Sequence, residues 1–511
     1  MSDLDNDSVQ NVEIGIVGSG SMGGGMTMLF AEHGSVVGCF DKDPEPVKKI
    51  LKTAEETDSV DNAKVHGFSS LEKLVNAFPK DNSKPRIFVL SLPHGKPVDG
   101  IADELLPLLS KGDIVIDGGN EWWEATERRQ KKAEEVGVEW VGMGVSGGYQ
   151  AARRGPSMSP GCNNPKTYET IKPLLEKWAA KTKDGEPCVE YIGPGGAGNY
   201  VKMLHNGIEH AHLSILCETR GLLYHQLGMS NAEIADLFES WFKDGGLRGN
   251  FLVGIGYKGL RFTHGDGIDD EGGIVDHIED KVTQDVDLSE GTGTWSTMEI
   301  ATRHVAAPAI AASHQLRVIS ADKGERLKVV ENLKMPEPSK SDKKVDPEFL
   351  KVVEKAVYGC ILGAFVQGLD IITRASEDQK WNVSLATCMR IWRAGCIIQS
   401  DAISEFLLPL FEPFGPSKPL NILQAVPEVA QALRETYEPI KQLYRVALDT
   451  DAVAPAIAAT LEWLKSVGGA RLPTDFEEME LDYFGHHNYD IVGQTEFGHK
   501  KGKHHTEFAP A

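Results

Sequence analysis

The sequence predicts an α/β domain built on a parallel sheet, then a large all-helical domain and an extended C-terminal tail. Three observations lead there. The first third alternates short β-rich runs with amphipathic helical patterns. After a glycine-proline break near residue 193, long apolar-periodic segments take over. From Gly468 onward that periodicity fades.

Each element has its own signal. Val12–Val17 is a β-rich run, Gly18–Gly25 is glycine-dense, and Met26–His33 reads as a helix. Val36–Phe40, Ile87–Leu92 and Ile114–Asp117 are further buried strands, with Trp140–Gly142 a shorter candidate. Helical patterns at Val98–Leu109 and Glu124–Val136 lie between them, as βαβ units require. The break is Ile192–Asn199, IGPGGAGN. Beyond it, Tyr200–Leu227, Ala232–Lys243, Trp295–Ser320, Asp346–Ser376 and Leu385–Leu408 carry helical spacing. Pro336–Lys344 reads as an exposed loop, and the acidic, Gly-rich stretch Gly265–Asp287 as loop and short helix. The expected domains are therefore residues 1–193 and 194–467, with a tail over 468–511. A tail of that length is either disordered or held against another surface.

Composition bounds the function. A chain of 511 residues with 41% hydrophobic residues has material for two or three cores. Its 53 basic and 75 acidic side chains leave a net charge of −22, which argues against a nucleic-acid binder or a basic membrane-surface protein. Seven scattered cysteines form no CxxC pair, so no zinc site is expected and a reducing, cytoplasmic setting is. The acidic, polar opening MSDLDNDSVQ does not read as a signal or transit peptide. No apolar run stands out as long enough to span a bilayer.

Two constellations carry chemistry. Gly18-Ser19-Gly20-Ser21-Met22-Gly23 fits GxGxxG between the first strand and a helix. The first glycine permits the tight turn, the second lets the backbone approach a pyrophosphate, and the third lets helix pack on strand. The helix N-terminus then offers amide donors to the phosphates. Asp41 closes the second strand. A carboxylate there accepts bonds from the ribose hydroxyls of NAD and repels the extra phosphate of NADP. Lys42 offers a softening cation and Asp43 adds negative charge, and the balance leans to NAD over NADP.

The second constellation lies on one helix. Val201, Leu204, Ile208, Ala211 and Ile215 form its apolar face, while Lys202, His205, Asn206 and Glu209 share another. Charge on an amphipathic helix ordinarily means a solvated stripe. Here an ammonium, an imidazole, an amide and a carboxyl sit together beside a domain boundary, where clefts form. A lysine flanked by apolar residues sheds its proton more readily and can serve as a general base.

Several motifs fall in a specific order: GIVGSGSMG, DGGN (117–120), GVSGG (144–148), GPSMSPG (155–161), GAGNYVKMLHNGIE (196–209), GTGTW (291–295), WRAGCIIQS (392–400) and DYFGHH (482–487). By these the chain resembles the decarboxylating 6-phosphogluconate dehydrogenase family over nearly its whole length. The resemblance implies a Rossmann-like N-terminal domain, a helical substrate domain, and a homodimer whose tail enters the partner's active site. It implies a metal-free oxidation of 6-phosphogluconate at C3 and loss of CO₂, giving ribulose 5-phosphate in the pentose phosphate pathway. Lys202 matches the general base and Glu209 the acid that protonates C1. Asn120, Ser146, Gly147, Gly148, His205 and Asn206 match residues that hold the substrate's carboxylate and hydroxyls. Leu92 and Asn120 match positions on the cofactor's side.

Departures cluster at the substrate's far end. The family's tyrosine after the catalytic glutamate is His210, its lysine before GTG is Glu290, and its arginine before DYFG is Leu481. Thr292, Arg317 and His487 keep the matching types. Charge-assisted phosphate contacts are worth roughly 1.5–3 kcal/mol each, so two lost cations weaken phosphate binding unless a protonated His210 or other cations compensate. The family's glutamates after GVSGG become Tyr149 and Gln150, and its lysine-alanine-glycine turn becomes Pro93-His94-Gly95. Asp41-Lys42-Asp43 replaces the residues that read the NADP phosphate. The alternative is the same chemistry, with NAD, on a related aldonate lacking the 6-phosphate.

Overall fold

The computed structural model describes the chain apart from residues 1–3, 6–8, 81–83, 266–267, 270–272, 286, 288–290, 416–420, 495–501 and 509–511. Two compact units result, residues 1–460 and 461–511.

The first unit begins with the expected α/β layers. Its main sheet holds β1 (Ile14–Val17), β2 (Val37–Phe40), β3 (Val65–Phe68), β4 (Ile87–Leu90), β5 (Ile114–Asp117), β6 (Glu139–Ser146) and β7 (Ser157–Gly161). The strand order is β3-β2-β1-β4-β5-β6-β7. The first six strands run parallel, and β7 joins β6 antiparallel at the edge. β1, β2, β4 and β5 are buried along their whole length, as strands covered on both faces must be. Alternation divides them between two cores: Ile14 and Ile16 face one, Val17, Phe88 and Leu90 the other. Because β1 lies between β2 and β4, the order reverses there. The loops beyond the strands' carboxyl ends open a crevice at that switch point.

The sequence reading lacks β3 and β7. β3 is four residues with a glycine, and β7 carries Pro160, which an edge strand tolerates and a central one does not. Two expected helices are each broken in two. Trp295–Ser320 becomes Thr292–Thr302 and Pro308–Ala321, because His304 turns to φ 52° and Pro308 starts a new helix. Leu385–Leu408 becomes Leu385–Ile391 and Asp401–Phe411, with Gly395 at φ 71° in the break. Within 265–287 the described residues add a short antiparallel pair, His264–Gly265 with Ile268–Asp269.

The helical part is organised around Pro347–Gln379, which packs against Ala197–Gly221 and Pro427–Asp449. It corrects the membrane expectation. Pro347–Gln379 is long and apolar enough to cross a membrane by length and composition. However, 89% of its most apolar window is buried in the protein, where such a helix forms a core.

In the second unit, helix Asp475–Gly485 occupies part of the expected extended tail. Asp482 is its hub. The carboxylate accepts the amides of Asn488 (2.9 Å) and Thr506 (3.0 Å) and faces Nδ1 of His505 at 3.0 Å. An isolated antiparallel bridge joins Tyr489 to His504.

Candidate active site

The glycine loop is shaped by close approach. Gly18 has φ 96°, and a Cβ on it would lie 2.2 Å from the Ser91 carbonyl oxygen. One on Gly23 would lie 1.9 Å from the Gly18 carbonyl oxygen. A Cβ on Gly20 would meet nothing within 4 Å, so the loop is open on the side where a phosphate approaches. Gly20 also caps helix Ser21–Glu32 without a side-chain bond, leaving the first-turn amides to a ligand. Val17, Gly18, Phe40, Asp41 and Leu92 line a cavity of about 300 Å³ beside it. These features fit a dinucleotide.

Asp41 is tied into the loop. Its Oδ2 accepts the Ser19 amide at 2.7 Å and its Oδ1 the Asp43 amide at 3.0 Å. Lys42 donates to Glu104 Oε1 at 3.0 Å, and Asp43 caps the next helix by accepting the Glu45 amide. The cation beside Asp41 is thus engaged elsewhere.

The helix bearing the polar stripe is Ala197–Gly221, and β6 is built to receive it. A Cβ on Gly142 would meet Asn199 Oδ1 at 2.2 Å, and one on Gly144 would meet Lys202 Cβ at 2.2 Å. Lys202 is therefore pressed against the strand two residues before Ser146, and is only 7% exposed. Its Nζ donates to Asn206 Oδ1 at 2.6 Å. His205 Nδ1 lies 3.1 Å from the same oxygen, and Asn206 Nδ2 donates to Thr292 Oγ1 at 3.2 Å. Glu209 Oε2 stands 3.7 Å from His205 Nδ1, one turn farther along. Complete burial, and then the charge of Lys202, hold the His205 imidazole neutral well below its ordinary range. A neutral ring carrying its proton on Nδ1 donates to Asn206.

The other expected residues lie on several elements. Ser146, at the end of β6, is buried. Gly147 (φ 104°) turns the backbone into helix Gly148–Arg154, and Gly148 leaves open space beside it. Gly118–Asn120 follow β5, where a Cβ on Gly119 would press 2.7 Å from the Leu92 carbonyl oxygen. Thr292 opens helix Thr292–Thr302, and a Cβ on its neighbour Gly293 would meet His210 Cε1 at 2.9 Å. Burial first, then Arg317, His314 and Lys202, push the His210 imidazole down to about 3. The compensation that the sequence reading allowed from a protonated His210 is therefore disfavoured. Glu290 lies outside the described residues. His487 and Leu481 belong to the second unit, where His487 is exposed just beyond helix Asp475–Gly485.

Sequence reasoning missed a buried ion network under the Asn120 loop. Arg129 donates to Glu121 Oε2 (2.5 Å), Asp99 Oδ1 (2.8 Å) and the Gly95 carbonyl oxygen (3.0 Å). Glu121 in turn accepts the Gly95 amide at 2.9 Å. This grip joins the loop after β4 to the loop after β5. In sequence, Arg129 is one cation among several on a helix, and nothing local distinguishes it.

Residues 13–193 match the family model for the NAD binding domain of 6-phosphogluconate dehydrogenase, and residues 198–508 match the model for its C-terminal domain. The chain belongs to the 6-phosphogluconate dehydrogenase family. A 6-phosphogluconate dehydrogenase, decarboxylating, from Emericella nidulans is 43% identical over 96% of this chain and all of its own length. One from Staphylococcus aureus is 33% identical over 97% of both. The solved 6-phosphogluconate dehydrogenase of Plasmodium falciparum, described in apo form, with its cofactor NADP+ and with its substrate 6-phosphogluconate, superposes with a TM-score of 0.84. It is 30% identical and covers 97% of this chain and all of its own. As a member of the 6-phosphogluconate dehydrogenase family the chain is an oxidoreductase.

Proposed function

We propose that this chain oxidatively decarboxylates 6-phospho-D-gluconate to ribulose 5-phosphate with a nicotinamide dinucleotide. The observation that supports this most is the hydrogen-bonded run from Lys202 through Asn206 to Thr292, with Glu209 about two helical turns beyond Lys202. Gly18, Ser19, Gly20, Ser21, Met22 and Gly23 hold the pyrophosphate, Asp41 the ribose, and Leu92 and Asn120 the nicotinamide side. A bound nicotinamide would supply the acceptor for the C3 hydride. Lys202 Nζ takes the C3 hydroxyl proton and later returns it to the C3 carbonyl oxygen as CO₂ leaves. Glu209 delivers a proton to C1 of the enediol while Lys202 takes back the proton of the adjoining hydroxyl, which becomes the ketone. His205 and Asn206 position the hydroxyls, and Ser146, Gly147 and Gly148 the carboxylate.

The far end takes His210, Thr292 and Arg317. In this reading residues 1–193 hold the cofactor and 194–467 the substrate and the dimer contact. The tail 468–511 enters the neighbouring copy and brings His487 to its phosphate. Asp41 favours NAD, because its carboxylate repels the extra phosphate of NADP and Lys42 is paired with Glu104 rather than with it. The setting is cytoplasmic carbohydrate metabolism, the pentose phosphate pathway.

The test is a panel of 6-phosphogluconate, gluconate and 6-sulfogluconate with NAD and with NADP. CO₂ release should match reduced cofactor one to one, with the highest kcat/KM on 6-phosphogluconate. No turnover of any of the three would overturn the reading. A second reading is the same chemistry on an aldonate without the 6-phosphate. The loss of two family cations at Glu290 and Leu481 favours it, and a tenfold preference for gluconate or 6-sulfogluconate would establish it.

A further inference from the structure

His314 packs beside His210. A Cβ on Gly293 would lie 2.6 Å from His314 Nδ1 and 2.9 Å from His210 Cε1, so two imidazoles rest on one glycine. That glycine directly follows Thr292, whose hydroxyl meets Asn206. Both rings are 7% exposed. They arrive from different helices. His210 comes from Ala197–Gly221, one residue past Glu209, and His314 from Pro308–Ala321, one turn before Arg317. Successive helical residues diverge by about 100°, so His210 and Glu209 leave the helix in different directions. His210 Nδ1 is buried and meets no partner among the described residues. A buried ring nitrogen left so is costly unless a ligand satisfies it.

We infer that His314 is a specificity-determining residue: with His210 it forms an imidazole pair at the far end of the pocket that hydrogen-bonds the substrate's phosphate. The inference rests on the proposed function. Two imidazoles, the Thr292 hydroxyl and the Arg317 guanidinium are all groups able to donate, and they come from three helices. Such a set suits a tetrahedral group with three terminal oxygens better than a single hydroxyl.

The experiment is steady-state kinetics of the full chain and of its His314→Ala and His314→Asn variants at saturating cofactor. The readouts are kcat and KM for 6-phosphogluconate and the competitive Ki of gluconate. His314→Ala should raise KM tenfold or more, change kcat less than threefold, and leave the gluconate Ki within twofold. His314→Asn keeps a donor and should recover most of the lost KM. An unchanged KM, or equal shifts in KM and in the gluconate Ki, overturns the assignment, the second result marking a merely structural residue. A wild-type chain inactive on 6-phosphogluconate overturns the substrate reading and the phosphate contact together. An active wild type with an indifferent His314→Ala overturns the contact alone.

Discussion

The stem of Lys202 occupies the space that a side chain at Gly144 would need: a Cβ there would stand 2.2 Å from Lys202 Cβ and 2.4 Å from Ser159 Oγ. The strand and the site helix thus fix the lysine by exclusion, before any hydrogen bond is made. Gly144→Ala should therefore move Lys202 off its position. Overpacking of this kind costs about 1–3 kcal/mol. Urea melts should show a loss in that range, and kcat should fall a hundredfold or more. A variant with near-normal kcat would mean that the lysine's placement is not set by this contact.

Lys202→Met keeps the volume of the stem and removes the base. If the ammonium nitrogen moves the C3 hydroxyl proton, kcat should fall by about 10³ or more, within the usual reach of general acid–base catalysis. Cofactor affinity, followed by titration of tryptophan fluorescence, should stay within twofold. Residual activity within tenfold of wild type would refute the role.

Glu209→Gln separates the two halves of the reaction. The carboxyl lies one turn beyond His205 and 3.7 Å from its Nδ1, and that ring is neutral and so a poor substitute proton donor. Hydride transfer, measured in a single turnover, should change less than tenfold. Deuterium incorporation at C1 of the product in D₂O should slow by at least a hundredfold. Equal slowing of both steps would count against a separate role at C1.

How much of this was legible in the sequence depends on how local the signal was. The glycine loop, the stripe Lys202–Glu209 and the strands β1, β2, β4 and β5 are written in consecutive residues, and each forms as read. The breaks inside the helical domain were less visible, because His304 and Gly395 act through backbone angles that composition does not report. β7 hid behind Pro160, which reads as a turn until an antiparallel edge is available for it. Asp41 was legible as a carboxylate. Its bond to the Ser19 amide and the capture of Lys42 by Glu104 were not, since both partners lie far along the chain. His314 carried no pattern at all. Only the packing of Pro308–Ala321 against the site helix brings it to His210.

Cofactor choice tests the Asp41 geometry. Asp41→Asn keeps an acceptor for the Ser19 amide and removes the charge. Wild type should favour NAD over NADP by tenfold or more in kcat/KM, and the variant should shift that ratio at least tenfold toward NADP. An unchanged ratio would place the discrimination elsewhere in the crevice.

Glu218 makes a pH prediction at the other end of the site helix. Its carboxyl is buried and accepts the amides of Ala456 and Ile457 at 2.8 and 2.9 Å. Burial pushes it up to about 7, against the downward pull of those two amides. A carboxyl raised in the folded state keeps its proton where the unfolded chain has already lost it. Stability from this group is thus full below its ordinary pKa of 4.5 and is lost as pH rises from there through about 7. A rise of that size corresponds to roughly 3 kcal/mol. Glu218→Gln cannot titrate, and one of the two amides loses its acceptor, so the variant should be the less stable protein at pH 5. Between pH 5 and pH 8 the wild-type advantage should shrink or reverse, read as the difference in urea midpoint at each pH. Asp117 and Asp370, whose carboxyls burial also lifts to about 7, are common to both proteins and cancel in that difference. A gap that stays constant across this range would show that Glu218 is charged in the folded chain throughout.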